Sequence, residues 1–292
     1  MSQERATSHD ASTTRLPEPM EDKALSWPWR RLLHYEALES TQRHGAQMLA
    51  MGRDVKGLVY WAERQTRGQG RFGHTWVSNA GGLYVTAALP YALALPPAET
   101  GWLALAAALA CAEILQEQLA VEASIKWPND VLVEGRKVAG FLGEIKHPAR
   151  PAEGADPAEK TPASAVLIGM GLNWLNGIRV AAETGGFSAA SLDEFRPGLE
   201  LAGRGPFLLA WLARLARWHN TLVGEPRAGL ATLQEAIEAR LWRKGETVTL
   251  QNTEKGAVAG TFLGLGQDAA ARLRTADGAE LQLHCGWQTA SA

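Results

Sequence analysis

The chain has 292 residues, of which 46% are hydrophobic and 21% are charged, and its formal net charge is −2. This composition is ordinary for a globular protein with a real core, and the near-neutral charge argues against a general nucleic-acid binder, which carries a basic excess. Its two cysteines, Cys111 and Cys285, exclude a disulfide scaffold and indicate a reducing compartment.

The N-terminus differs in composition from the rest of the chain. Residues 1–29 are rich in Ser, Thr, Glu and Pro and have few large apolar side chains, which predicts a disordered tail. No basic region is followed there by an apolar run, so we expect no secretory signal. The stretch 75–98 has no Asp, Glu, Lys or Arg, but it is interrupted by glycines and prolines and favours a buried strand, a loop and the start of a helix over a membrane span. We therefore expect a cytoplasmic protein without a membrane segment.

From residue 31 to residue 241, short apolar runs alternate with longer segments of helical periodicity. The predicted strands are 31–38, 57–63, 82–89, 124–127, 130–133, 137–145 and 165–173, and the predicted helices are 40–51 with Ser40 as N-cap, 99–119, 206–223 and 228–241. Between the last two of these strands, residues 147–163 are rich in Pro, Ala and Glu and predict a flexible excursion. Because there is no regular strand–helix–strand rhythm, we predict an α+β fold in which a mixed central β-sheet carries helices on one face.

The composition and hydropathy pattern of the sequence change after Lys244. Short strands with alternating polar and apolar residues, separated by glycine-containing turns, are predicted at 246–250, 257–264, 270–274 and 280–284. This pattern is typical of a small β-barrel of about 45 residues. We predict a main domain at 30–242 and a barrel domain at 243–292, and we expect the main domain to fold without the barrel.

The first candidate site is the glycine-rich loop at residues 66–76. Its glycines let the backbone approach a ligand and leave N–H groups free to face anionic or carbonyl oxygens. Arg67 and Arg71 lie among them, and a guanidinium binds two oxygens of a phosphate or carboxylate at once. The loop matches neither the P-loop nor the dinucleotide-binding pattern. On spacing alone, a mobile hairpin loop with solvated arginines explains it equally well.

The second candidate is KWPND, residues 126–130. Lys126 ends an apolar strand and Pro128 stops that strand, so the ammonium faces either solvent or a cleft. A compact ammonium suits a carboxylate or a phosphate, and a charge-assisted hydrogen bond contributes about 1.5–3 kcal/mol. An ordinary edge lysine is the plainer interpretation, and Asn129 and Asp130 are residue types that cap turns.

The third candidate is Gly169–Asn173, at the end of a buried strand. Glycines there allow a flat ligand to come close, and the amide of Asn173 can read an adenine edge. Taken alone, the motif slightly favours a plainer interpretation, in which the glycines ease packing of a helix on the sheet and Asn173 starts a turn. Trp76 closes the glycine loop, where an adenine could lie. The seven histidines have no metal-ligand spacing, so we predict no metal site in the protein itself.

Together these motifs resemble those of the biotin protein ligase family, over roughly residues 32–290. In order, the chain has Glu39-Ser40-Thr41, AERQTRGQGRFGHTW at 62–76, GGLYVT at 81–86, KWPNDVLVEGRKVAGFLGE at 126–144 and IGMGLN at 168–173. KWPND followed by a basic turn and AGFLGE is the most specific of these. The resemblance also implies that the C-terminal barrel is SH3-like.

The resemblance implies an ATP-dependent ligase. Biotin carboxylate attacks the α-phosphate of ATP to give biotinyl-5′-AMP and pyrophosphate, and a lysine of the biotin carboxyl carrier protein of acetyl-CoA carboxylase then attacks the mixed anhydride. Lys126 and Arg71 are the implied catalytic residues, and Mg²⁺ is expected to shield the triphosphate. The implied biotin-binding residues are Ser40, Thr41, Gln42, Gln65, Gly68, Gln69, Gly70, Arg71 and Lys126, and the implied nucleotide-binding residues are Trp76, Asn129, Lys137, Gly171 and Asn173.

The chain departs from the family pattern at three positions. The family loop is commonly written GRGRxGR, whereas residues 68–74 read GQGRFGH, so that Gln69 and His74 replace two arginines. Gln42 stands where the family often has asparagine. These changes bear on the affinity for ATP or on the retention of the adenylate, and not on the reaction class.

Three other functions stay open at this point. A lipoate or octanoate ligase belongs to the same superfamily, although KWPND, AGFLGE and the barrel argue for biotin. A biotin-sensing relative without catalysis would fit the replaced arginines. A biotin-dependent DNA-binding repressor needs an N-terminal helix-turn-helix domain, and the segment before residue 32 is neither long nor periodic enough for three helices. We therefore expect a protein carrier and no nucleic acid as partner, and a homodimer stays open.

Overall fold

The computed structural model describes residues 18–25, 28–90, 101–148, 164–179, 188–252, 255–284 and 287–289. The strands are β1 (Glu21–Ala24), β2 (Arg31–Leu38), β3 (Leu58–Gln65), β4 (Leu83–Pro90), β5 (Ser124–Lys126), β6 (Asp130–Val133), β7 (Arg136–Lys146), β8 (Ala165–Leu172), β9 (Thr247–Asn252), β10 (Gly256–Leu265), β11 (Ala271–Arg274), β12 (Glu280–Leu283) and β13 (Gln288–Thr289). The α-helices are α1 (Thr41–Ala50), α2 (Gly101–Leu119), α3 (Arg204–Gly224) and α4 (Pro226–Glu238). The elements predicted after residue 30 are therefore confirmed, with small shifts at their ends.

The first eight strands form one mixed sheet in the order β1-β2-β3-β4-β8-β7-β6-β5. Only the β2–β3 pair is parallel among the pairs of this sheet in the described residues. A chain that joins two parallel neighbours must cross one face of the sheet, and α1 makes that crossing. The N-terminus of α1 therefore follows directly from the end of β2, at one end of the sheet.

Helices cover both faces of this sheet, so the prediction that they pack on one face is wrong. α2, α3 and α4 form one large core with alternate residues of the central strands, such as Val85 and Leu89 of β4. α1 lies on the opposite face, where Leu49 packs with Ala88 and Leu167. Because β4 and β8 are covered on both sides, they are continuous apolar runs, and such runs do not tell which face a helix takes.

A strand at the N-terminus replaces part of the predicted tail, which is wrong for residues 21–24. β1 pairs antiparallel with β2, with Glu21 opposite His34 and Ala24 opposite Arg31. Its sequence, EDKA, is poor in strand-forming residues. Its antiparallel pairing with the edge of β2 therefore explains the strand. Residues 1–17 lie outside the described part of the chain.

α2 lies at the centre of the larger core. It is long and apolar enough to cross a membrane, but 72% of its most apolar window is buried inside this protein. That burial is typical of the core helix of a soluble protein. Most of the predicted excursion at 147–163 lies outside the described residues.

The last five strands form a second, antiparallel sheet in the order β12-β11-β10-β9-β13. Its buried side chains, Val248 and Phe262 among them, belong to the same hydrophobic cluster as α2 and β5. Trp127, which follows β5, donates its indole N–H to the carbonyl oxygen of Ala269 at 2.8 Å. The domain boundary near residue 243 stays a prediction, but this shared core argues against a main domain that folds alone.

A partly buried charge cluster ties α3 to the main sheet. Arg204, in the first turn of α3 and 7% exposed, donates from Nη1 to Glu63 Oε2 and to the carbonyl oxygen of Gly82, both at 2.8 Å. His34 Nε2 lies 2.9 Å from Glu63 Oε1, and its ring stacks on Trp61. The hydrogen bond from His34 and the guanidinium of Arg204 lower the pKa of Glu63 to about 2, against the opposing effect of burial.

Glu63 should make the fold sensitive to acid. Its pKa falls from an ordinary 4.5 to about 2 on folding, so its stabilisation is complete above pH 4.5 and disappears as the pH falls toward 2. We expect Glu63→Gln to lower the free energy of unfolding by about 2–3 kcal/mol at pH 7, and by much less at roughly pH 2. Urea unfolding at both pH values measures this. Glu36→Gln, which removes an exposed pair with Arg64, should cost under about 1 kcal/mol; equal losses would contradict the assignment.

Candidate active site

A cleft of about 370 Å³ opens on the sheet face that bears α1, where the first residues of that helix meet β4, β7 and β8. The predicted site residues that line it are Ser40, Thr41, Gln42, Gln65, Gln69, Gly70, Arg71, Trp76, Lys126, Asn129, Lys137 and Gly171. Gly68 and Asn173 do not line it. A larger groove of about 1020 Å³, between β1 and the α3–α4 pair, contains none of the predicted residues.

Polar side chains from α1, β3 and β4 form one end of the cleft. Ser40 is the N-cap of α1, as predicted, and accepts a hydrogen bond from the backbone N–H of Arg43 at 3.4 Å. Gln65 Oε1 accepts hydrogen bonds from the backbone N–H and the hydroxyl of Thr41, at 2.8 and 3.3 Å. Thr86 Oγ1 lies 2.9 Å from Thr41 Oγ1. Thr86 is not among the predicted site residues, and its signal is a small hydroxyl side chain in the largely apolar run of β4.

Two lysines and an aspartate form a charged group in the same cleft. Asp130 Oδ1 is 2.7 Å from Lys137 Nζ, and its Oδ2 is 3.7 Å from Lys126 Nζ. Burial lowers the pKa of Lys126 to about 8, with help from Lys137 and Arg71 and against the attraction of Asp130. Lys126 is therefore mostly charged at neutral pH and loses its charge as the pH rises through about 8.

Asp130 is a site residue for which the sequence predicted only a turn cap. The β5–β6 hairpin places it directly opposite Lys126 in register. Its side chain is 12% exposed and lies between the two ammonium groups. The available signal was the spacing of Lys126 and Asp130 around Pro128, which brings both ends of a tight turn together.

The indole of Trp76 packs directly against the backbone of two glycines, Gly140 and Gly171. An ideal Cβ on Gly171 would be 2.5 Å from Trp76 Cε2, and one on Gly140 would be 2.9 Å from Cζ3. Neither position therefore takes even an alanine unless the ring moves. Lys137 Nζ is 5.0 Å from the ring centroid, within cation–π range. The flat group that approaches Gly171 closely in this structure is Trp76 itself.

The glycine loop forms a short hairpin beside the cleft. Gln69 and Thr75 form an isolated antiparallel bridge, and Arg71–Gly73 is a 3₁₀ turn between them. Arg71 Nη1 donates to Asn129 Oδ1 at 3.3 Å, which links the loop to the KWPND segment. Phe72 at the tip is 61% exposed and has a φ of 53°, an unfavourable conformation for a bulky side chain. The loop thus combines a strained tip with one charged anchor.

Gly68 and Asn173 have partners within the protein. The carbonyl oxygen of Gly68 accepts the N–H of Trp76 at 2.9 Å, and a Cβ there would be 2.4 Å from the Trp76 carbonyl oxygen. This glycine is therefore needed to close the loop. Asn173 is 2% exposed, and its Oδ1 accepts a hydrogen bond from Asn176 Nδ2 at 3.1 Å. Their binding roles stay predictions.

Comparison with known proteins shows the family to which this chain belongs. The model of the Biotin/lipoate A/B protein ligase family matches residues 36–151. The chain is 30% identical over 244 residues to the biotin–[acetyl-CoA-carboxylase] ligase of Mycobacterium tuberculosis, covering 78% of this chain and 84% of that protein. The chain belongs to the biotin protein ligase family. The corresponding ligase of Paracoccus denitrificans is 32% identical over 213 residues, with 65% of this chain and 82% of that protein covered.

A solved biotin protein ligase structure has the same fold. The Aquifex aeolicus biotin protein ligase in complex with biotin and ATP matches with a TM-score of 0.70 at 26% identity, over 89% of this chain and 99% of that one. The family resemblance is therefore confirmed, and with it a ligase enzyme. The α+β class is also confirmed at the level of a mixed sheet and a second, smaller antiparallel sheet.

Proposed function

We propose that this chain activates biotin with ATP as biotinyl-5′-AMP and transfers the biotinyl group to a lysine of a biotin carboxyl carrier protein. The observation that carries the proposal is one cleft in which hydrogen-bonding groups around Thr41 and Gln65 adjoin the cations Lys126, Lys137 and Arg71. The ureido ring of biotin needs hydrogen-bonding partners, and a carboxylate beside a phosphate needs positive charge. The relatives named as biotin ligases, one of them solved with biotin and ATP, support it.

In the first step, two anions must meet. A carboxylate oxygen of biotin attacks the α-phosphorus of ATP, the bond from that phosphorus to the bridging oxygen breaks, and pyrophosphate leaves. Fixed positive charge stabilises the charge that builds on the phosphoryl oxygens without reorganising at the moment of reaction. Lys126 and Lys137 supply it, and Asp130 holds both ammonium groups in place.

We propose that Mg²⁺ arrives with the triphosphate, whose charge it shields. Among the residues that the structure describes, no group of three or more His, Cys, Asp or Glu could hold a metal ion. Asp130, the carboxylate in the cleft lining, is already paired with two lysines. The residues present therefore fit an ion carried by the nucleotide, and the absence of a metal site in the protein itself stays a prediction.

In the second step, the ε-amine of the carrier lysine attacks the carbonyl carbon of the mixed anhydride, loses a proton and expels AMP. The anhydride must be kept from water until the carrier arrives, and the glycine loop beside the cleft can shield it. Gln69 and His74 stand at positions that the family commonly fills with arginine. Arg71 is therefore the guanidinium that residues 68–74 offer to the adenylate.

Arg71→Gly should leave adenylate formation measurable but speed the release of biotinyl-5′-AMP about 10–150-fold, the equivalent of one charge-assisted hydrogen bond. The reason is the lost anchor to Asn129 and the lost contact with the adenylate. Rapid dilution measures adenylate dissociation, and a streptavidin blot measures biotinylation of bystander serum albumin. Arg67→Gly is the control, because that guanidinium is 69% exposed and lies 4.0 Å from Glu39. If only the Arg67 variant released biotinyl-5′-AMP faster, retention of the adenylate would be assigned to Arg67.

Biotin-dependent ATP–pyrophosphate exchange tests the proposed function, with biotin, lipoate and octanoate compared side by side. We expect exchange with biotin and little with the other two acids. A preference for lipoate or octanoate would assign the chain to the other branch of its superfamily. Biotin binding without any exchange would instead indicate a biotin-sensing relative without catalysis.

The sequence resemblance also bears on the C-terminal region, the location and the partners of the protein. We propose that residues 243–292 form an SH3-like barrel domain and that the protein acts in the cytoplasm on its carrier, without nucleic acid or membrane. A gel shift with biotin-operon DNA should therefore be negative, and a salt-resistant nanomolar shift would favour the repressor. Whether two chains form a homodimer is a question for sedimentation.

A further inference from the structure

The amide of Gln42 has a fixed orientation in the cleft. This residue of α1 is 4% exposed, and its Nε2 donates to Glu144 Oε2 at 2.8 Å and to the carbonyl oxygen of Leu167 at 3.3 Å. A carboxylate and a backbone carbonyl only accept hydrogen bonds. The amide nitrogen must therefore point to them, so Oε1 points the other way, where Thr86 Oγ1 lies at 3.1 Å.

Two neighbours make this orientation possible. An ideal Cβ on Gly169 would be 2.8 Å from Gln42 Oε1, so the glycine leaves room for the carbonyl over the floor of the cleft. Glu144 lies outside the cleft lining, is 33% exposed and accepts a hydrogen bond from Lys146 Nζ at 2.9 Å. Glu144 thus acts on the cleft through the hydrogen bond of its Oε2 with Gln42, while its Oε1 is bound to Lys146.

The fixed amide sets the direction of the neighbouring hydrogen bonds. Because Gln42 Oε1 can only accept, Thr86 is the donor here, and its one proton lies within reach of Gln42 Oε1 at 3.1 Å and of Thr41 Oγ1 at 2.9 Å. Gln65 Oε1 already accepts two hydrogen bonds from Thr41. This end of the cleft therefore presents the acceptor oxygen of Gln42, which suits an N–H group of a ligand.

We infer that Glu144 is a positioning residue that makes the cleft specific for a ligand with N–H donors, by fixing the amide of Gln42. The inference rests on the proposed function, because the ureido ring of biotin has two N–H groups whereas the dithiolane ring of lipoate has none. A rotated amide would turn its own N–H toward the ureido N–H, and the two donors would both be left unpaired. A site built to bind N–H groups rejects ligands that lack them.

Three variants separate the hydrogen bond from the charge of Glu144. Glu144→Met removes the acceptor at similar length, and Glu144→Gln keeps an acceptor oxygen without the charge. Lys146→Met is the matched control, because it removes the lysine partner of Glu144 and leaves Gln42 untouched. In pyrophosphate exchange, Glu144→Met should raise KM for biotin about 10–100-fold, with KM for ATP and kcat changed less than about twofold. Glu144→Gln and Lys146→Met should both stay near wild type.

Two analogues report on the direction of the hydrogen bonds. Desthiobiotin keeps the ureido group, so Glu144→Met should weaken it as much as biotin. Lipoate, measured as a competitor of biotin, should bind wild type and variant equally. If Glu144→Met fails to fold, Gly169→Ala displaces the same carbonyl by another route and should give the same pattern.

The inference is overturned if Glu144→Met leaves KM for biotin unchanged or raises KM for ATP as well. It is also overturned if Glu144→Gln is impaired as much as Glu144→Met, since charge and not an acceptor would then matter. Failure of the proposed function looks different. In that case, the wild-type protein itself shows no biotin-dependent exchange.

Discussion

Lys126→Met is expected to slow biotin-dependent pyrophosphate exchange about 10²–10³-fold while the protein stays folded. The variant loses the ammonium but keeps a buried apolar side chain, and Asp130 keeps its 2.7 Å pair with Lys137. Exchange kinetics measure the rate, and thermal melting checks the fold. Lys244→Met removes a lysine that is paired with Glu238 outside the cleft and should leave exchange unchanged. Near-wild-type exchange by the Lys126 variant would contradict its catalytic role.

The same lysine should give the reaction a pH signature. Because the pKa of Lys126 is about 8, its charge is present below that pH and is lost above it. We expect kcat/KM to fall between roughly pH 7 and pH 9, since this parameter reports ionisations of the free enzyme. Lys126→Arg should be slower at neutral pH but should not show this fall, because a guanidinium stays charged. A fall that persists in the arginine variant would assign it to another group.

A chain that ends at residue 243 is expected to lose its cooperative fold. Removal of the second sheet uncovers Trp102 and Trp127, each no more than 2% exposed in the full chain. Loss of about 1.5–3 kcal/mol for each of these two side chains amounts to roughly 3–6 kcal/mol, a large part of the whole stability of a domain. Thermal melting followed by circular dichroism measures the outcome.

A chain that ends at His284 is the matched control for this truncation. It keeps β9–β12, including the carbonyl oxygens of Gln267 and Ala269 that accept the indole N–H groups of Trp102 and Trp127. We expect it to melt cooperatively at a somewhat lower temperature. If the shorter chain melts as cooperatively as this control, the main domain folds alone, as the composition break near Lys244 first indicated.

Features set by residues close in sequence could be predicted. Ser40 caps α1 because its side chain reaches an N–H three residues ahead. Pro128 follows the end of the short strand β5, and glycines space the loop that carries Arg71. For the same reason, each of the three candidate segments contributes residues to one cleft, although spacing alone favoured plainer interpretations of two of them.

Features that depend on distant parts of the chain could not be predicted. The face that α1 takes depends on packing against β4 and β8, and those strands are apolar on both sides. The Gln42–Glu144 hydrogen bond joins residues 102 positions apart. In each case the deciding partner comes from another element.

The outer strands of the main sheet have a consequence for how the protein is produced. On one side, the backbone of Ile125 in β5 is bonded to Arg240 and Trp242, so the linker after α4 covers that edge. On the other side lies β1, a four-residue strand with exposed Glu21 and Lys23. Short, charged outer strands discourage the edge-to-edge pairing that leads to aggregation. A shortened gene that begins at residue 30 would expose the eight-residue β2 instead, so soluble expression should depend on keeping β1.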